Sequence, residues 1–156
     1  MTKEEWMELA KKLKRVYQRE EKFLPDVDTV NQWYEFLDDL DYERTAKAVK
    51  EYIKNEKFAP TVADIRSRHD DLEKAEKTEY YAVKNEFERC RNYYPGSGSI
   101  DNGWPEFQER LKKAKEGMQI EAARYLANKV IGYVHECEKN GTDTIDFAEC
   151  IKTVAV

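Results

Sequence analysis

The sequence predicts an all-α protein, a helical bundle in two halves of about four helices each. Three observations carry that prediction. Apolar residues recur at spacings of three and four along most of the chain, the period of a helix with one buried face. Charged residues make up 38% of the 156 residues, with both signs interleaved as on helices that carry i,i+4 pairs. Only 6 glycines and 4 prolines punctuate the chain, and no long alternating or β-branched run is present. A hydrophobic fraction of 40% at this length supplies one sizeable core or two small ones.

The first helix opens on a capping box, Thr2 with Glu5 three residues later. Trp6, Leu9, Ala10, Leu13, Val16 and Tyr17 form its apolar stripe, and Lys11, Lys12, Lys14, Arg15 and Arg19 its opposite face. A connector over 20–28 contains Pro25, with Phe23 and Leu24 folded back onto the core as a plug. The organising stretch, 29–69, follows. Val30, Trp33, Leu37 and Leu40 give one helical pattern, and Tyr42, Thr45, Ala46, Val49 and Ile53 give a second, capped by Asp41. Pro60 disfavours helix at Ala59, and Thr61 with Asp64 restarts it. Val62, Ile65, His69 and Leu72 then make the third stripe, closing a first domain over 1–72.

Between 73 and 79 the run EKAEKTE lacks a stripe and reads as a boundary. A second domain, 78–156, begins with a helix over 78–92 whose stripe, continued past its end, is Tyr80, Val83, Phe87, Cys90 and Tyr94. Glycine and proline at 95–103 make a loop. Trp104-Pro105 opens the next helix, with Pro in the first turn where its missing N–H costs nothing. Phe107, Leu111, Ala114 and Met118 continue its stripe until Gly117 interrupts. Ile120, Ala123, Ala127, Val130, Val134 and Cys137, widened by Leu126, Ile131 and Tyr133, mark a longer helix central to a second core. Asn140-Gly141 stops it, and Thr144 is expected to cap a last helix carrying Phe147, Ala148, Ile151 and Val154.

The residues offer little chemistry. A net charge of -5 and a pI near 5.3 give no global attraction to nucleic acid or to an anionic membrane. No apolar run reaches membrane-spanning length, and the charged N-terminus is not a signal peptide. Cys90, Cys137 and Cys150 are odd in number and lack CxxC spacing, so they read as reduced buried thiols of a cytoplasmic protein. His69 and His135 have no metal-ligand spacing. Residues 138–149 imitate half of an EF-hand loop, but Glu138 is too long for the first position and Asp143 stands where glycine is needed. Ser67, Ser97 and Ser99 lie in no nucleophile elbow, and Gly96-Ser97-Gly98 is no phosphate loop. The carboxylate pairs Asp38-Asp39 and Asp70-Asp71 belong to solvated faces. The expectation is a protein without catalytic, metal or cofactor sites.

Charged stripes remain as candidate partner-binding residues. Lys11, Arg15 and Arg19 fall at i,i+4 spacing on the first helix; Arg44, Lys47, Lys54 and Lys57, with Lys50 beside them, trace a line on the second helix of the organising stretch. Glu35, Asp38 and Asp39, with Asp41 and Glu43, cluster at the bend before it. Charge of both signs on one small domain suits a protein partner better than bare DNA.

Trp33-Tyr34-Glu35, Leu40-Asp41-Tyr42-Glu43, Ala46-Val49-Tyr52-Ile53 and the run from Lys57-Phe58-Ala59-Pro60-Thr61 to Asp64-Ile65 resemble the N-terminal domain of bacteriophage replicative-helicase loader/inhibitor proteins. The resemblance covers about residues 1–72. It implies a non-enzymatic adaptor that binds a hexameric DnaB-type helicase, restrains it and hands it to an origin complex, in the host cytoplasm. In that family the C-terminal part is largely unstructured until bound, whereas 78–156 here carry patterned helices and are expected to fold. Two other classes fit the same charges: a small acidic inhibitor that mimics DNA to block a host nucleic-acid enzyme, and a DNA-binding helical module using the Arg15 and Lys47 stripes.

Overall fold

The computed structural model describes residues 1–96, 102–115 and 117–154. Among them are seven helices and no strand: α1 (Lys3–Val16), α2 (Val27–Glu35), α3 (Tyr42–Asn55), α4 (Val62–Tyr93), α5 (Trp104–Leu111), α6 (Gln119–Asn140) and α7 (Phe147–Thr153). The chain divides into two units, Met1–Glu76 and Lys77–Val156, with residues of α4 in both. The fold is all-α, as the periodicity requires.

In the first unit, Thr2 Oγ1 accepts from Glu5 N–H at 3.2 Å while Glu5 Oε2 accepts from Thr2 N–H at 2.7 Å, the reciprocal box that starts α1. Trp6, Leu9, Ala10, Leu13 and Tyr17 are buried against α2 and α3. Val16, on the expected stripe, is instead 50% exposed, because at 100° per residue it points roughly 80° away from Trp6, at the stripe's edge. Phe23 and Leu24 do plug the core. Phe23 packs edge-on to Tyr17 and Trp33, with ring centroids 6.0 and 5.7 Å apart, and burial holds Leu24 at a left-handed φ of 46°.

The first pattern of the organising stretch is a shorter helix than its spacing suggests. Asp26 caps α2 by accepting from Thr29 N–H at 2.7 Å, and the helix ends at Glu35. Leu37 and Leu40 are buried from the turn that follows, not from the helix. The Met1 ammonium donates to Asp38 O and Leu40 O across that turn, at 2.7 and 2.5 Å. On α3 the buried face is Thr45, Ala48, Val49 and Tyr52, while Tyr42, Ala46 and Ile53 are only half-buried. Asp41 caps α3 through Arg44 N–H at 2.8 Å, and Thr61 exchanges bonds with Asp64 at the start of α4.

The helix expected to end near residue 72 instead continues to Tyr93. The run at 73–79 contains no Gly or Pro and is almost wholly Glu, Lys and Ala, which are strong helix formers even without a buried stripe.

In the second unit α6 supplies Ala123, Leu126, Ala127, Val130, Val134 and Cys137 to the core. Phe87 meets Phe107 and Phe147 with centroids 5.4 and 5.8 Å apart. Gly103, at φ 81°, is the N-cap of α5, and a Cβ there would lie 2.7 Å from Ile151 Cδ1, so only glycine fits this close approach. α5 ends at Leu111, short of the expected stripe, and leaves Met118 50% exposed. Gly141 caps α6 at φ 65°, with Thr142 N–H reaching back to Cys137 O at 3.0 Å. Asp146, not Thr144, caps α7, because its carboxylate accepts from both Ala148 and Glu149 N–H. Within the loop expected at 95–103, residues 97–101 lie outside the described residues, as do Ser97 and Ser99.

Candidate functional site

The charged residues singled out by spacing are sorted by what the fold does with them. On α1, Lys11 and Arg15 are exposed, but α1 ends at Val16, so Arg19 stands in the following turn and leaves their line. There it lines an open groove of about 550 Å³ with Lys22, Phe23, Ala59 and Pro60. On α3, Lys47, Lys50 and Lys54 are exposed within an arc of roughly 60°. Arg44 departs from them. It is half-buried, its Nη2 2.8 Å from Glu76 and its Nη1 3.4 Å from His69 Nε2, so its charge is spent inside the unit. Lys57 lies beyond the helix, its ammonium 5.8 Å from the centroid of the exposed Phe58 ring.

The acidic bend is likewise divided. Glu35 and Asp38 are exposed. Asp39 takes two parallel bonds from Arg66, both at 2.8 Å, and the same guanidinium donates to Phe36 O. Arg66 holds the Asp39 carboxyl below the usual carboxylate range, chiefly through those hydrogen bonds. Asp41 serves as the α3 cap. Two exposed rings, Phe36 at 61% and Phe58 at 70%, escape the sequence reading as surface features because neither lies on an apolar stripe. The available signal is that absence of partners: a large apolar side chain off the periodic face has no core to enter.

No arrangement among the described residues assembles a reactive centre. His69 is 5% exposed, with Nδ1 3.2 Å from Asp70 Oδ1 and Arg44 Nη1 beside Nε2. His69, Asp70 and Glu73 each bring one ligand atom within 4.8 Å of the others. The Arg44 guanidinium opposes a cation on the Nε2 side, so the group reads as a hydrogen-bonded network. Burial pushes the Cys90 thiol up to about 12 and the Cys150 thiol up to about 11, far from a nucleophilic thiolate at neutral pH. At the EF-hand-like stretch, Glu138 lies inside α6, 3.5 Å from His135, and Asp146 is committed to capping α7. No helix among the described residues is long and apolar enough to cross a membrane.

The first unit, with its pinned bend and its Thr61-Asp64 exit, covers the segment in which the family signature falls. Residues 1–66 match the family model of the phage gene 39 protein, N-terminal domain. The first unit belongs to this family. Its members are phage helicase loaders and inhibitors, so the chain carries a phage helicase-associated domain. The gene 39 protein match spans 66 of the 156 residues and lies wholly within the first unit, so it assigns nothing to α5, α6 or α7. No curated protein and no solved structure matches the chain.

Proposed function

We propose that this protein is a non-enzymatic adaptor that binds a DnaB-type replicative helicase and regulates or loads it, handing it to an origin-bound protein. The observation that carries the reading is the gene 39 protein N-terminal domain at residues 1–66. The surface geometry supports it over DNA mimicry. Asp26, Asp41 and Asp64 are bound to backbone N–H groups as caps and Asp39 to Arg66, so they do not form a free row of phosphate-like charges. Action is mechanical: binding that favours one helicase conformation over another shifts its population without any bond being made.

The test is co-sedimentation of the full chain with a purified DnaB-type hexameric helicase, with and without ATP. A stable complex in at least one nucleotide state is expected. Absence of a complex in both states rejects the reading. The exposed lysines of α3 support a second, weaker contact with phosphates, which would show as heparin retention that falls steeply with salt.

A further inference from the structure

The segment joining α3 to α4 is pinned along its length. Glu56, the C-cap of α3, donates its N–H to Tyr52 O at 2.9 Å, and its carbonyl accepts from Tyr17 Oη at 3.1 Å. Ala59 N–H donates to Glu20 Oε1 at 2.8 Å, which ties the segment to the connector after α1. Thr61 and Asp64 then lock the start of α4. Phe58 nevertheless stands 70% exposed, the highest exposure among the large hydrophobic side chains described. A ring presented by a segment this firmly held is exposed by construction, and it can bind without a large ordering cost.

Beside it runs the groove bounded by Arg19, Lys22, Phe23, Ala59 and Pro60. Its electrostatics run against the protein's net charge of -5. Glu20 is engaged by Ala59 N–H, and Glu56 is paired with Arg68 at 2.5 Å, which leaves Glu21 as the unengaged carboxylate. Arg19, Lys22 and Lys57 form no ion pair among the described residues. The edge is therefore cationic, with an apolar floor and one protruding ring.

We propose that Phe58 and this groove form the docking site for an acidic protein segment carrying an apolar side chain. The partner's carboxylates would meet Arg19, Lys22 and Lys57, and its apolar side chain would pack on Phe58 and the Ala59-Pro60 floor. Single-stranded nucleic acid fits less well, because it is bound by successive stacking rings and here one ring protrudes between glutamates. That the segment belongs to a replicative helicase rests on the proposed function.

The experiment measures the affinity of the full chain for a purified DnaB-type helicase, comparing wild type with Phe58→Ala and with the triple variant Arg19→Glu, Lys22→Glu, Lys57→Glu. These side chains are exposed, so both variants are expected to keep the wild-type circular dichroism and thermal midpoint. Phe58→Ala is expected to raise Kd by about tenfold or more, and the triple variant to abolish most binding at low salt. A wild-type complex whose Kd is unchanged in both variants overturns the docking site and leaves helicase binding intact. No wild-type complex at all overturns the helicase reading and the docking site with it. Loss of single-stranded DNA retention in Phe58→Ala, with helicase affinity unchanged, assigns the surface to nucleic acid and also overturns the proposal.

Discussion

Trp6→Phe tests how the first unit is held together. Trp6 is fully buried, its ring stacks on Trp33 with centroids 6.1 Å apart, and its Nε1–H donates to Val30 O at 2.8 Å. Phenylalanine keeps an aromatic ring but removes the donor and about 40 Å³ of side chain. At about 24 cal/mol per Å³ the unfilled volume costs about 1 kcal/mol. Leaving the Val30 carbonyl without its partner adds about 1 to 1.5 kcal/mol. The sum, about 2 to 2.5 kcal/mol, is a large share of the stability of a small domain. With a urea slope of about 1 kcal/mol/M it lowers the unfolding midpoint by about 2 M. The assay is urea unfolding followed by Trp33 emission in a Trp104→Phe background, so that the reporter lies in the first unit. A midpoint shift below about 0.5 M would show that neither the hydrogen bond nor the volume matters at this position, and the account of this core would fail.

Removing Arg66 should destabilise the acidic bend by at most about 1 kcal/mol, since the pair is partly exposed. The Asp39 carboxyl is held below its ordinary value of 3.8 in the folded state, so its contribution is present above that pH and is lost as pH falls through the lower folded value. Urea curves of wild type and Arg66→Ala should therefore separate at pH 7 and converge near the acid limit; an equal separation at both would exclude Asp39 as the partner. Thr61→Ala should cost about 1 kcal/mol by removing one half of the α4 capping box. It should also raise the Asp64 pKa partway, because the Thr61 hydroxyl is one of the groups that lower it; carboxyl chemical shifts followed through a titration report both forms. The Cys90 and Cys150 thiols should resist an aromatic disulfide reagent at pH 8 in the folded protein and react once denaturant is added. Fast labelling of Cys90 without denaturant would contradict its burial.

Much of the first unit is legible from short-range chemistry. Thr2 with Glu5, Asp41, Thr61 with Asp64 and the Asn140-Gly141 stop are all read over a few residues, and each works as a cap or a stop in the structure. The order of motifs from Trp33 to Ile65 points to the helicase loader/inhibitor family, which the match at residues 1–66 identifies. Periodicity errs where no stripe is needed, as at 73–79, where propensity alone continues α4. It also errs where burial comes from a turn, as at Leu37 and Leu40.

The sequence by itself determined that the chain is helical, where most helices start, and which family its first unit joins, because caps and apolar periods act between neighbours in the chain. Tertiary packing decided which charges remain available to a partner. Arg44 finds Glu76 across 32 residues of sequence and Arg66 finds Asp39 across 27, while Lys47, Lys50 and Lys54 find no ion-pair partner among the described residues. It also left Phe36 and Phe58 outside the core. Spacing along a helix names the side chains on a face, but only the helix packed against that face determines which of them still meet solvent.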